Sequence, residues 1–504
     1  GRAGRFLDRR AAPGVVDWDL SSLRSLPRLL GAADPVRYAQ LLPGVQTNND
    51  FSSGLFIHGC DNAHNYTALD GAPVFNAAHL LGLFSVFNPL HFARMRLEKS
   101  AHTAAFPNRL GGRVELSAPD SLPPRPSGEL EAGLIGSQAT LSLPLGKAAA
   151  LRLSGRGSYL NLLYGPLLRF DDSRLRYAFQ DANASLLLRP SRRDRVQLSA
   201  YWGGDQLRID EEALFSGGSL RWQNLVLSAR WERRLGRGGV LGQQVYHSAY
   251  SARLRAESGE AGLSLRTRLR ETGWRGSLSL PWGSAARWET GASWQTRRVV
   301  PDELEAWGFN RALASDGRLP AAHEVSLYSQ LQGCIAPRWE GHVGLRATAY
   351  RSGPMLRFAL DPRAGVGWKC SPQARVDLHY GVYHQYLHQA RYGTMGLPID
   401  FFYPADAALP PEYAHAFSLA LRRGFRRGWS FRLEGYYKLL FHQVEFTGSL
   451  LDLFYSGYSR AASLSAGRGK SYGLEFLVEK TSGRLQGWVG YTLGWSLRKF
   501  PAYG

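Results

Sequence analysis

The sequence predicts a mainly β protein: a transmembrane antiparallel β-barrel preceded by a small mixed α/β domain. Three observations carry this reading. Segments alternating between apolar and polar residues recur about sixteen times after residue 126, many longer than the usual strand of about 5–6 residues. No apolar run approaches the roughly 20 residues that a membrane-spanning helix needs. Aromatic residues reach 12%, with 23 Tyr and 14 Trp, a bias that suits two interfacial girdles and that a carbohydrate-binding protein shares.

The small domain comes first. Up to about residue 120 the pattern is mixed, with Gly- and Asn-rich turns between short apolar stretches. Asp34 or a neighbour stands where it caps a helix over 35–42, with Pro35 at an early helical position and Pro43-Gly44 ending it. The proline-rich stretch 119–126 reads as a linker. The chain thus divides into residues 1–120 and 121–504.

Beyond the linker the period is two. Val196, Leu198, Ala200 and Trp202 alternate with Arg195, Gln197, Ser199 and Tyr201. Val343, Leu345, Ala347 and Ala349 alternate with His342, Arg346, Thr348 and Tyr350, and Tyr472, Leu474, Phe476 and Val478 with Gly473, Glu475, Leu477 and Glu479. From Trp429 to Leu439 the odd positions are apolar or small and the even ones mostly polar. Short turns at 145–147, 190–194 and 236–239 alternate with longer connections near 164–175, 203–217, 300–322, 386–412 and 444–468, which is the barrel habit. A closed barrel pairs every backbone group between strands, so a mean hydropathy of −0.27 is compatible with a membrane protein.

The 504 residues carry 61 Lys and Arg against 41 Asp and Glu, a net charge of +20. The arginines are spread through nearly every segment. That argues against nucleic acid as a partner and for lumen and loop positions meeting water or anionic lipopolysaccharide. Cys60, Cys334 and Cys370 are too far apart to suggest a disulfide framework or a metal-ligand spacing. Gly1 stands in place of Met and no secretory leader is visible, as expected of a processed chain.

Residues 41–116 hold the most specific local pattern. Leu41-Leu42-Pro43-Gly44-Val45-Gln46 is followed by Gly54-Leu55-Phe56-Ile57-His58-Gly59. Then come Leu69-Asp70-Gly71-Ala72-Pro73-Val74-Phe75-Asn76 and His79-Leu80-Leu81-Gly82-Leu83-Phe84-Ser85-Val86-Phe87-Asn88-Pro89. This ordered set resembles the plug domain of TonB-dependent outer-membrane receptors, in the version common in Bacteroidetes-type bacteria. Ser154 to Leu163, Tyr380 to His388, Gly467 to Glu475 and Thr492 to Ser496 are similar to barrel strands of the same family.

The resemblance implies a plug in the lumen of a 22-stranded barrel, of which about 16 strands would lie here and roughly six would follow Gly504. The N-terminal TonB box is not evident. His58-Gly59 replaces the family's Arg-Gly, and Cys60-Asp61-Asn62 replaces a Gly-rich turn. A stretched segment, Lys99 to Ala105, precedes Phe106-Pro107-Asn108-Arg109-Leu110-Gly111-Gly112-Arg113.

By family layout, ligand-binding residues are expected on the plug's outer loops: Cys60, Asp61, Asn62, Asn65, Phe75, Asn76 and His79. Phe401, Phe402 and Tyr403 are expected either as an aromatic ligand platform or as rim anchors at the membrane interface. No catalytic constellation, metal site or cofactor is expected. His384 and His388 are four apart, but on a strand rather than a helix, and His58, His64, His79, His91 and His102 fall at irregular positions. Asp70-Gly71 reads as a turn, and Asp171-Asp172 and Glu211-Glu212 as loop acids.

The implied function is TonB-dependent uptake of a scarce nutrient, of the ferric chelate, glycan or peptide class, with arginines favouring an anionic one. The implied partners are the outer membrane with its lipopolysaccharide, the TonB complex, and a surface lipoprotein or other outer-membrane subunits. The alternative is a degenerate receptor kept as a scaffold subunit of a larger outer-membrane complex.

Overall fold

The structure, a computed structural model, describes residues 14–21, 33–47, 54–170, 173–211, 216–308, 313–315, 317–391, 400–448 and 463–503. Asp171, Asp172 and Glu212 lie outside the described residues.

The N-terminal part is built on a five-stranded sheet. Its strands are β1 (Val15–Asp19), β4 (Tyr66–Leu69), β5 (Ala72–Pro73), β8 (Arg94–Glu98) and β9 (Arg113–Ser117), in the order β1-β8-β9-β4-β5. Only β4 and β9 run parallel. Two ribbons flank it: β2 (Val45–Gln46) with β3 (Phe56–Ile57), and β6 (Ala78–His79) with β7 (Phe84–Ser85).

Helix α1 (Pro35–Gln40) starts where its cap predicts. Asp34 Oδ1 accepts from the Val36 amide at 2.8 Å and the Arg37 amide at 3.4 Å, while Oδ2 accepts from the Ser85 amide at 2.5 Å. One carboxylate thus starts the helix and ties it to β7. The helix buries Val36 and Ala39 against Trp18, Ile57, Val86, Met95 and Leu97 in the domain's own core. Asp70 and Gly71, both at positive φ (45° and 80°), make the tight turn from β4 to β5.

After the linker the chain forms one long antiparallel sheet. It opens with β10 (Ser127–Ala132), β11 (Gly136–Pro144) and β12 (Ala149–Ser158). A short helix α2 (Leu160–Tyr164) and β13 (Arg169–Phe170) lead into β14 (Ser173–Leu188), β15 (Asp194–Glu211) and β16 (Ser216–Arg234). Then come β17 (Val240–Ser258), β18 (Ala261–Trp282) and β19 (Ala286–Trp307), with β20 (Leu313–Ser315) at its outer end. Next are β21 (Ala322–Ala336), β22 (Trp339–Ser352), β23 (Met355–Ser371) and β24 (Ala374–Gln385). A separate ribbon of β25 (Leu387–Arg391) and β26 (Asp400–Pro404) precedes β27 (Glu412–Gly424), β28 (Trp429–Phe446), β29 (Leu464–Lys480) and β30 (Gly487–Lys499).

Setting aside the short β13 and β20, seventeen strands follow one another as neighbours among the described residues, against about sixteen expected. Within the described residues β10 and β30 stand at the sheet's two edges and do not pair.

The alternation is inside-out. In β15 Leu198 and Trp202 face outward, while Gln197, Tyr201 and Asp205 are buried on the lumen side. In β29 Leu474 and Phe476 face outward, and Glu475 and Glu479 are buried. The outward face is banded. On β18 the outward positions run Trp282, Leu280, Leu278, Gly276 and Trp274, and Trp288 and Trp294 answer them on β19. Trp282 and Trp288 meet edge to face at 6.4 Å, and Trp274 stands opposite Trp294. From Trp274 to Trp282 the strand path is about 27 Å, which at a barrel tilt of about 40° rises about 20 Å, most of an apolar band of about 25 Å flanked by aromatic girdles. Among the described residues no helix is long and apolar enough to cross a membrane.

Three expectations change. The connections expected near 203–217 and 300–322 are largely strand, because strands that have left the bilayer keep their ladder bonds without needing apolar alternation. The strand expected from Ser154 to Leu163 ends at Ser158, and Leu160 opens α2. The strand expected from Tyr380 to His388 ends at Gln385; Tyr386 stacks on Tyr350 at 4.6 Å and turns the chain into the β25–β26 ribbon.

Candidate functional site

The two ends of the barrel differ. Turns at 145–148, 189–193 and 235–239 are short, whereas the opposite end carries the connections 159–172, 386–411 and 447–463. Short turns mark the periplasmic side and long ones the outside. Three loops of the N-terminal domain reach the outer half of the lumen, and each is latched to the wall by polar groups.

The loop carrying Phe75, Asn76 and His79 is held by β14 to β17. His79 Nδ1 lies 2.6 Å from Asp205 Oδ2, and Nε2 lies 3.3 Å from Asp181 Oδ2. Its ring stacks on Phe179 at 4.8 Å. Burial alone would push this imidazole down, but Asp205 and Asp181 outweigh it and hold the ring above the ordinary histidine value. The Leu80 amide donates to Asp205 at 3.1 Å, and the Tyr177 hydroxyl donates to the same oxygen. Trp222 Nε1 donates to the Ala78 carbonyl at 3.0 Å, and Asn76 Nδ2 to the Tyr250 hydroxyl at 3.2 Å.

The loop carrying Cys60 to Asn65 meets β24 and β27 to β30. The Asp61 amide donates to His64 Nδ1 at 3.0 Å, so Nε2 carries the hydrogen given to Glu412 Oε2 at 2.9 Å. Asn62 Oδ1 accepts from the Leu55 amide, and Asn65 bridges the Leu55 carbonyl and the Gly112 amide. Cys60 is fully buried, with Lys438 Nζ 3.3 Å from its sulfur. Burial pushes this thiol up, and Lys438 and His64 together outweigh that and draw it down to about 7.

The third loop is Phe106 to Arg109. Asn108 Nδ2 donates to Glu324 at 2.5 Å and its Oδ1 accepts from Arg346 Nε at 2.9 Å. Glu324 and Glu271 also hold Arg297, at 2.9 and 2.6 Å. Deeper in, Lys99 pairs with Glu475, whose other oxygen lies 2.6 Å from His58 Nε2.

Over this apex lies the β25–β26 ribbon. Phe402 meets Phe75 edge to face at 5.6 Å and Tyr250 at 5.7 Å, and Phe401 meets Phe446 at 5.4 Å. Phe401, Phe402 and Tyr403 are buried in the lumen mouth, which overturns their expected alternative as rim anchors at the bilayer.

The structure therefore brings Phe75 and Phe402 together, two residues the sequence offered separately. Of the expected ligand residues, Asp61, Asn62 and Asn76 are part-exposed, while Cys60, Asn65, Phe75, His79 and the three ribbon aromatics are buried. His384 and His388 bind different acids, Asp361 at 2.6 Å and Glu412 at 2.9 Å. Among the described residues no group of three or more His, Cys, Asp or Glu is placed to hold a metal ion. Sequence reasoning missed the wall residues Asp181, Asp205, Glu412, Lys438 and Glu475. Their one signal is a charged residue on the inward face of an alternating strand.

A small domain set inside a long-stranded barrel fits one comparison directly. Residues 147–504 match the family described as TonB dependent receptor-like, beta-barrel. The chain belongs to that family. In TonB-dependent receptors, which are outer-membrane barrels, the domain in the lumen is the plug. No curated protein matches the sequence. Among solved structures, the chain is similar to the siderophore receptor PirA from Pseudomonas aeruginosa (15% identity, TM-score 0.66, covering 97% of this chain and 86% of that one). It is also similar to the copper transporter OprC (12%, 0.67, 96% and 79%). A third is BauA, the ferric preacinetobactin receptor from Acinetobacter baumannii (13%, 0.64, 98% and 80%). At these identities the likeness is one of fold, and it spans plug and barrel together.

Proposed function

We propose that this TonB-dependent receptor imports a scarce nutrient across the outer membrane, with the plug as its movable element. The observation that carries this is how the plug is held. Its apolar core is largely its own, and its loops are latched to the wall by hydrogen bonds and ion pairs beside two smaller apolar clusters at Phe75 and Phe106. Each such bond contributes only about 1 kcal/mol net when water can replace it. The plug can therefore shift against the wall without exposing its core. The TonB complex supplies the work, and the protein performs no covalent chemistry.

Ligand capture begins at the part-exposed Asp61, Asn62 and Asn76. Phe75, His79, Cys60 and Asn65 lie beneath them, and the Phe401–Tyr403 ribbon lifts to admit the ligand to its aromatic faces. Among the described residues Arg275 and Arg346 face the lumen with no carboxylate bonded to them, positive charge that favours an anionic cargo. Ferric chelates come first among the candidate classes, ahead of acidic glycans and peptides, because the similar folds include siderophore receptors.

The test is growth and uptake in a deletion strain offered labelled ferric chelates, glycans and peptides as limiting nutrients. Loss of uptake of one class identifies the cargo. Unchanged uptake across the panel, with stoichiometric outer-membrane subunits retained on purification, would show a scaffold and overturn import.

A further inference from the structure

The lumen does not absorb all of the positive charge. On the outward face of β14 to β19, arginines stand directly opposite one another across strands. Arg176 faces Arg208; Arg221 faces Arg253, which faces Arg266; Arg270 faces Arg298. Their chain neighbours Tyr177, Leu207, Leu220, Ala252, Thr267, Leu269 and Arg297 are buried toward the lumen, which fixes the arginines on the other face.

Like charges directly opposite in a sheet repel. Some find relief nearby: Asp210 takes Arg208 at 2.7 Å and Arg176 at 3.6 Å, and Gln206 takes Arg221 at 3.0 Å. Arg266 faces Glu303 in register, but Arg268 already holds that carboxylate through two hydrogen bonds of 2.9 and 2.8 Å. Among the described residues Arg253, Arg266, Arg270 and Arg298 form no ion pair. Arg268, Arg270, Arg298 and Arg318 line a depression of about 340 Å³ floored by Val300, Leu319 and Ala321.

The depth of this patch is fixed by the girdle. Trp274 and Trp294 end the apolar band, and Thr272 and Thr296 separate them from Arg270 and Arg298 on the outer side. Tryptophan marks the bilayer interface, so the arginines begin at headgroup depth. Guanidinium groups in pairs match phosphate oxygens bidentately.

We propose that this patch binds the phosphorylated headgroup of an outer-leaflet glycolipid, its phosphates neutralising the opposed arginines and its acyl chains lying on the band below. The inference rests on the outer-membrane location of the chain and not on import.

The test uses the full chain in nanodiscs with a diphosphorylated lipid A probe, read by native mass spectrometry. The double variant Arg270→Gln, Arg298→Gln is compared with wild type and with Arg193→Gln, a control at a periplasmic turn. Bound probe should fall about tenfold in the double variant and hold in the control. Three outcomes overturn the proposal: equal binding by the double variant, equal binding of a dephosphorylated probe, or displacement by millimolar inorganic phosphate. Co-purification of an acidic protein on the patch in place of lipid overturns it too. Should the double variant fail the heat-modifiability check for a folded barrel, Arg253→Gln alone carries the measurement. Uptake assayed in parallel separates the readings: wild type that binds the probe but imports nothing refutes import and leaves this site standing.

Discussion

Phe75 of the plug and Phe402 of the β25–β26 ribbon meet edge to face, with 5.6 Å between ring centres and 72° between ring planes. The contact joins the plug's apex to the segment that covers it. A double-mutant cycle of Phe75→Ala and Phe402→Ala should give a coupling of about 1 kcal/mol, read from thermal unfolding of the plug. Additive single effects would show that the rings do not act as a pair.

The His79 latch predicts a pH dependence. Its ring is held above the ordinary histidine value of about 6.5 by Asp205 and Asp181. A raised value means that the stabilisation is complete below about 6.5 and is lost as pH climbs through the folded-state value. Amides of 78–85 should therefore lose exchange protection as pH rises through that range, after correction for intrinsic rates. His79→Gln should flatten the dependence and cost the plug–wall contact about 2 kcal/mol. A variant with the wild-type pH profile would refute the assignment.

Asp34 does two jobs with one carboxylate, capping α1 and accepting from the Ser85 amide. Asp34→Ala should cost the plug about 2 kcal/mol, at the upper end for a cap. Protease cutting within 33–47 reports it, and Asp34→Asn should recover part of the loss. Equal cutting of all three proteins would mean that the helix is held by packing alone.

Cysteine labelling separates exposure from reactivity. Cys334 is exposed, Cys370 half-buried, and Cys60 buried beside Lys438 with its thiol near 7. Maleimide should modify Cys334 first and Cys60 last, despite the readier thiolate at Cys60. Cys60 labelling should rise only when the plug is loosened, as by His79→Gln. Early labelling of Cys60 in wild type would contradict its burial.

Much of this architecture is legible in the chain because strand alternation and a capped helix are local signals. Val196 to Trp202 and Tyr472 to Val478 show their two faces directly, and Asp34-Pro35 marks the start of α1. Two things are not local. Alternation does not say which face meets lipid and which meets a core; the plug motifs decided that. Nor does it say which wall residue meets which loop. His79 finds Asp205 across 126 positions and His64 finds Glu412 across 348, pairings set by how the long sheet wraps the plug. The connections expected near 203–217 and 300–322 failed for a related reason. Asp205, Arg208 and Glu303 look like loop residues by polarity, yet they sit in ladders that continue beyond the bilayer.

The plug's strand order carries a mechanical consequence. β1 is the earliest described strand in the chain and stands at one edge of its sheet, where among the described strands its ladder partner is β8. Tension applied ahead of Val15 would reach this strand before any other described strand. An edge strand has half the ladder of a central one, so it can be stripped away while β8, β9, β4 and β5 keep their mutual pairing. The domain is thus built to yield in stages from its leading end, with the lumen latches at His64, His79 and Asn108 loaded only after that first release.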